Sequence, residues 1–158
     1  MNNFLNTFTY TLTQPDLIIL AKPLAKALRK GDVIALWGDL GVGKTTFARI
    51  LIQSLVGETI EVPSPTFTLV QIYDSPKSEV WHCDLYRLKD PEEAFELGLE
   101  DAFHDAICLI EWPERLGNLL PRRRIDVLLK IVNEITREMT LTLVGSHEPL
   151  QTILETTS

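Results

Sequence analysis

The chain has 158 residues, 45% of them hydrophobic and 23% charged, ordinary values for a globular protein of one domain long enough to bury a core. A formal net charge of −7 argues against a protein that grips nucleic acid over its whole surface. No apolar run approaches a membrane span, and Met1-Asn2-Asn3-Phe4 lacks the basic-then-apolar pattern of a signal peptide, so a cytosolic compartment and no membrane contact are expected.

Residues 8–12 are rich in β-formers and predict a first strand carrying Thr11. Thr13-Gln14-Pro15-Asp16 has the form of a helix start, with Thr13 as N-cap and an acid three residues on. Leu17, Leu20, Ala21, Leu24 and Leu28 then share one helical face. Pro23 predicts a kink or break, because its ring collides with the carbonyl of Ile19 in a continuous helix. Lys30-Gly31 is expected to close the helix with a C-terminal glycine.

Residues 32–37 form the next strand and run into Gly38-Asp39-Leu40-Gly41-Val42-Gly43-Lys44-Thr45, which fits G-x-x-x-x-G-K-[ST], the phosphate-binding loop of nucleotide triphosphatases. The glycines let successive N–H groups turn inward around phosphate oxygens. Lys44 supplies a point charge for the β- and γ-phosphates, and the Thr45 hydroxyl is placed to hold Mg²⁺. Residues 44–55 read as the helix whose positive end completes the cradle. The dinucleotide fingerprint G-x-G-x-x-G is absent, so NAD is not suggested.

Gly57 is a plausible helix C-cap, and Pro63-Ser64-Pro65 opens a loop. Residues 67–73 and 79–84 are expected to pair as a hairpin, and Pro91-Glu92-Glu93 to start a short helix. The continuous apolar run at 106–110 marks a strand buried on both faces, ending at Glu111-Trp112-Pro113. Alternating apolar residues on either side of Glu134-Ile135-Thr136 predict a second hairpin, and the chain from His147 reads as a peripheral polar tail, helical or frayed. Cys83 and Cys108, each in a strand-like segment, are expected as buried free thiols with no disulfide partner. One α/β domain over 1–158 follows, a three-layer sandwich on a mixed central sheet with the nucleotide at the carboxyl ends of its strands.

A phosphate loop alone binds nucleotide; hydrolysis also needs an acid near the metal and a group to orient water. Asp84 and Glu111 end apolar strands, where such acids stand. His82 shares a strand face with Asp84, a weak hint of a metal site and more simply a packed histidine. Ser64 and Thr66 offer hydroxyls either to a switch meeting metal and γ-phosphate or to an ordinary turn. Trp112 either lines the site or packs. Arg122-Arg123-Arg124 is either solvated or meets an acidic partner or RNA phosphate.

Four stretches together, GDLGVGKTT, PSPTFTL, HCDLYRL and IEWPERL, resemble the bacterial TsaE family, formerly called YjeE, over most of the chain. The resemblance implies an ATPase that binds ATP or ADP with Mg²⁺ and is required for the threonylcarbamoyl group on adenosine next to the tRNA anticodon. It further implies action with TsaB and TsaD, with tRNA touched only indirectly. By motif, residues 38–46, namely Gly38, Asp39, Leu40, Gly41, Val42, Gly43, Lys44, Thr45 and Thr46, would hold phosphates and metal. Asp84 and Glu111 would be the metal-site and water-orienting acids; Thr66 would lie in the switch-like loop, Trp112 beside the nucleotide and Thr11 near adenine. A small-molecule kinase using the same loop, and a nucleotide-gated binding module that does not hydrolyse, are the competing readings.

Overall fold

The computed structural model describes residues 5–57, 60–65 and 69–157. Its frame is one seven-stranded sheet in the order β1-β7-β6-β2-β5-β4-β3, comprising β1 (Leu5–Leu12), β2 (Val33–Trp37), β3 (Val70–Asp74), β4 (Glu79–Asp84), β5 (Ile107–Glu111), β6 (Arg124–Ile131) and β7 (Arg137–Val144). The four central strands β6, β2, β5 and β4 run parallel, and the flanking pairs β6–β7, β1–β7 and β3–β4 are antiparallel. The two expected hairpins are therefore β3–β4 and β6–β7, and the sheet is mixed. Strands β2 and β5 read as unbroken apolar runs because both faces are covered.

One face carries α1 (Gln14–Ala27), α2 (Lys44–Val56) and α5 (Glu148–Thr157) over Ile34, Leu36, Ile107, Leu109, Val127 and Leu141. The other carries α3 (Glu93–Glu96), α4 (Leu99–Asp105) and a 3₁₀ segment over Val33, Cys83, Cys108 and Ile110. This is the α/β sandwich expected of a phosphate-loop protein. Among the described residues no helix is long and apolar enough to cross a membrane.

Several local expectations need correction. Helix α1 begins with the anticipated capping box, Thr13 and Asp16 each bonding the other's backbone N–H. It then runs without a break through Pro23, where the lost bond falls at Ile19, a residue 69% exposed on the solvent side of the helix. Gly31 is not its C-cap. The helix stops at Ala27, and the ammonium of Lys77, from the β3–β4 turn, takes the carbonyls of Ala25, Lys26 and Leu28 at 2.7, 2.6 and 2.6 Å. Gly57 does cap α2, in the left-handed conformation at φ 83°. Helix α4 had no counterpart in the reading of the sequence. The supposed peripheral tail is α5, with Leu150 and Leu154 buried in the main core. Both cysteines are free and buried, and burial pushes the Cys108 thiol up to about 12.

Candidate functional site

Strand β2 delivers the phosphate loop at the carboxyl end of the sheet, beside the ends of β5 and β4, and register aligns Leu36 with Glu111 and Asp84 with Glu111. Registered residues of parallel strands point to one face, and so do residues two apart along a strand. Val80, Ile107 and Leu109 lie in the core beneath α1 and α2. The same parity turns His82, Asp84 and Glu111 towards the amino end of α2.

The loop has the backbone that its motif demands. Gly38 and Gly43 stand at φ 140° and 112°, where side chains are strained. A Cβ on Gly38 would also lie 2.7 Å from the carbonyl oxygen of Leu129, so glycine is required there twice over. Gly43 is the N-cap of α2 and makes no side-chain cap, and the first turn of α2 holds no acid. The first N–H groups of a thirteen-residue helix thus remain available to an anion. Around a Cβ built on Gly41 or Gly43 no atom lies within 4 Å, an open cradle rather than a packed turn.

Lys44 is only 5% exposed. Its ammonium donates to the carbonyl of Gly38 at 2.6 Å and stands 3.5 Å above the centre of the Trp112 ring. Burial draws its pKa below the ordinary lysine value, opposed by the charges of Glu111, Glu114, Asp84 and Asp39. Trp112 therefore meets the loop lysine directly, and its ring also stacks at a tilt on Tyr86, centroids 5.0 Å apart.

Glu111, 2% exposed, is held from both sides. The Thr45 hydroxyl donates to Oε1 at 2.7 Å, and His82 Nε2 lies 2.7 Å from Oε2. Asp84 accepts the N–H of Tyr86 at 3.1 Å, and its own N–H donates to the carbonyl of Leu69 at 2.9 Å. Among the described residues the two non-glycine positions with positive φ are Leu69, at 65°, and Trp112, at 60°. One is bonded to the backbone of Asp84, and the other follows Glu111. Backbone strain thus gathers at the two acids, as it does at functional sites.

These residues fit Mg²⁺ and phosphate. No group of three or more His, Cys, Asp or Glu forms a metal cage among the described residues. Mg²⁺ is ordinarily held by one or two carboxylates together with a hydroxyl, waters and substrate phosphates, and Thr45, Asp84 and Glu111 supply that partial set. The transition-metal hint at His82 gives way to a histidine bonded to Glu111.

Other expected residues fare differently. Asp39 and Leu40 are exposed on the loop, and Val42 is buried beneath it. Thr46 lines a hollow of about 520 Å³ beside the loop, together with Leu12, Thr13, Gly43, Ile135 and Arg137. Thr11 does not line it, although its two successors do. Thr66 lies outside the described residues. Of the arginine run, Arg123 bonds Asp32 and Arg124 bonds Asp126, leaving Arg122 as an exposed member. Reading the sequence missed Arg137, whose Nε donates to the carbonyl of Val42 at 2.8 Å and ties the loop to the β6–β7 hairpin. Tyr86 lies within the HCDLYRL stretch, which carries the resemblance without assigning it a role, and no local pattern marks Arg137.

The family model described as threonylcarbamoyl adenosine biosynthesis protein TsaE matches residues 12–139. The tRNA threonylcarbamoyladenosine biosynthesis protein TsaE of Rickettsia bellii is 44% identical over 138 residues, 87% of this chain and 96% of the relative. The protein of the same name from Bacillus subtilis is 38% identical over 138 residues, covering 87% and 85% of the two chains. The crystal structure of YdiB from Bacillus subtilis superposes with a TM-score of 0.81 at 31% identity and covers 99% of both chains. On the family model and these identities, the chain belongs to the TsaE family of tRNA threonylcarbamoyladenosine biosynthesis proteins.

Proposed function

We propose that this chain is a Mg²⁺-dependent ATPase that acts with the TsaB–TsaD pair in forming the threonylcarbamoyl group on adenosine next to the tRNA anticodon. The observation that carries the reading is the bond from Thr45 to the buried Glu111, next to the buried Lys44 at the mouth of an open glycine cradle. A hydroxyl that donates its proton to a carboxylate turns its lone pairs outward, where a cation bound to phosphates would sit. When bound, Mg²⁺ supplies positive charge to the β- and γ-phosphate oxygens.

The protein's own groups do the rest. The loop N–H groups and the start of α2 bind phosphate, and Lys44 leaves the Gly38 carbonyl for a phosphate oxygen, a stronger charge-assisted partner. Asp84, registered beside Glu111, would help to hold the metal, and Glu111 keeps lone pairs with which to orient an attacking water. The hollow lined by Leu12 and Ile135 gives the base a place beside the loop. The acidic balance of −7 favours reaching tRNA through partners rather than directly. Turnover is slow alone if a partner supplies an essential group.

The test follows γ-labelled ATP with Mg²⁺, in the presence and absence of TsaB–TsaD and tRNA. Free phosphate released over many turnovers, dependent on Lys44, supports the ATPase. Label on a small metabolite means a kinase, and binding without release means a nucleotide-gated module.

A further inference from the structure

We propose that His82 is a positioning residue for the ATPase site, fixing Glu111 through its Nε2 nitrogen. The proposal rests on the reading of Glu111 as the water-orienting acid and assigns a role to a residue outside the phosphate loop and the acid pair. His82 is completely buried. Its Nε2 lies 2.7 Å from Glu111 Oε2, while Nδ1 has no hydrogen-bond partner among the described residues.

That imbalance is informative. A histidine that only filled space would leave fewer polar atoms unsatisfied if it were leucine or phenylalanine, because a buried polar atom without a partner is costly. A buried acceptor without a partner is better tolerated than a buried N–H without one. The ring therefore carries its proton on Nε2, donates it to the carboxylate and leaves a bare lone pair at Nδ1. The tautomer follows from this cost argument.

Position in the sheet gives the bond its purpose. His82 registers with Leu109, two residues before Glu111 on the adjacent parallel strand. It reaches the carboxylate from β4, while Thr45 reaches the other oxygen from α2 at 2.7 Å. Two donors from two elements stop a flexible glutamate from turning. A carboxylate fixed before substrate arrives needs no reorganisation during reaction. With Thr45 alone, the carboxyl could rotate about that single bond and lose its aim at water.

The decisive variants are His82→Gln and His82→Asn. The Gln amide places an N–H close to where Nε2 stands, whereas the Asn amide places it near Nδ1. Phosphate release and the affinity for a fluorescent ATP analogue are measured with Mg²⁺ under conditions giving wild-type turnover. The same is done for Glu111→Ala alone and combined with His82→Asn.

For His82→Asn, kcat is expected to fall about 10- to 100-fold, the usual range for a supporting residue, with nucleotide affinity changed by less than about twofold. His82→Gln should recover most of that loss, and His82→Asn should cost nothing further once Glu111 is alanine. Equal turnover in the Gln and Asn variants, a loss arising through nucleotide affinity, or an additive loss in the Glu111→Ala background would each overturn the proposal. A wild type that releases no phosphate fails the ATPase reading and this one with it. Wild-type turnover that His82→Asn leaves untouched fails this one alone.

Discussion

The two ends of the parallel strands bury charge in opposite ways. At the carboxyl end, Lys44, His82, Asp84 and Glu111 are buried around an open cradle. Lys44 rests on a backbone carbonyl and an aromatic face, and one nitrogen of His82 has no partner among the described residues. At the amino end, Asp32 and His147 are as deeply buried but mutually satisfied. Asp32 accepts from Arg123 at 3.0 Å and from the N–H of Arg29 at 2.8 Å. Arg123 Nη2 stands 3.3 Å from His147 Nδ1, and His147 Nε2 stands 3.1 Å from the carbonyl of Val144. One end is a closed staple that ties α5 and β6 to the start of β2. The other leaves its buried charges around an open cradle. Burial alone does not mark a functional charge; incomplete satisfaction does.

Substitutions at the two ends should therefore separate activity from stability. The largest effect is expected for Lys44→Ala, which removes the phosphate point charge and should lower ATP-dependent phosphate release by about a hundredfold or more. Its urea midpoint should stay level or rise, since a buried, partly desolvated ammonium disappears. A large fall in the midpoint would make Lys44 a structural residue. Next comes Glu111→Ala, expected to slow hydrolysis roughly a hundredfold while nucleotide affinity changes far less. Equal ATP turnover by wild type and Glu111→Ala, with metal and partners present, removes Glu111 from the chemistry.

Asp32→Ala sharpens the contrast from the other side. It strands the Arg29 N–H and takes the carboxylate partner from the Arg123 guanidinium, at a cost of about 1–3 kcal/mol in unfolding free energy. Arg123 is 49% exposed and can turn to water, which keeps the loss towards the lower figure. Turnover per folded molecule should not change. A loss of turnover at full occupancy of the folded state would show that the two ends are coupled.

The same contrast marks what could be read in the sequence. The phosphate loop, the apolar run of β5 and the alternation of β6 and β7 were legible because each is a local pattern with a period or spacing of its own. The acids were legible as strand ends. What escaped depends on contacts far apart in the chain. Lys77 ends α1 from about fifty residues away, overriding the local glycine signal. His82 showed its strand face, but its bond to Glu111 spans 29 residues. Arg123 appeared only as one of three adjacent charges, and its partners Asp32 and His147 lie 91 and 24 residues off. Local chemistry announced the cradle; tertiary pairing decided which charges were structural.

The smallest expected effect is a pH dependence of stability from His147. Burial draws its pKa below the ordinary 6.5, Arg123 adds repulsion, and the carbonyls of Val144 and Arg124 and the charge of Asp32 oppose the shift without cancelling it. With the proton on Nε2 and donated to Val144, Nδ1 is free to accept from Arg123, so the neutral ring is satisfied on both sides. A second proton would face the guanidinium. The unfolded chain takes that proton near the ordinary value, and the folded chain resists it to lower pH. Between those points the unfolded state binds more protons, so stability rises with pH. The contribution is complete above the unfolded value and is lost as pH falls through the depressed folded one. The urea midpoint of the wild type should therefore drop on acidification from neutral pH to below the ordinary imidazole value of 6.5. His147→Gln keeps a donor and an acceptor but cannot titrate there, and should flatten the drop. An equal slope in both proteins would mean that other groups drive it and that the staple is indifferent to protons.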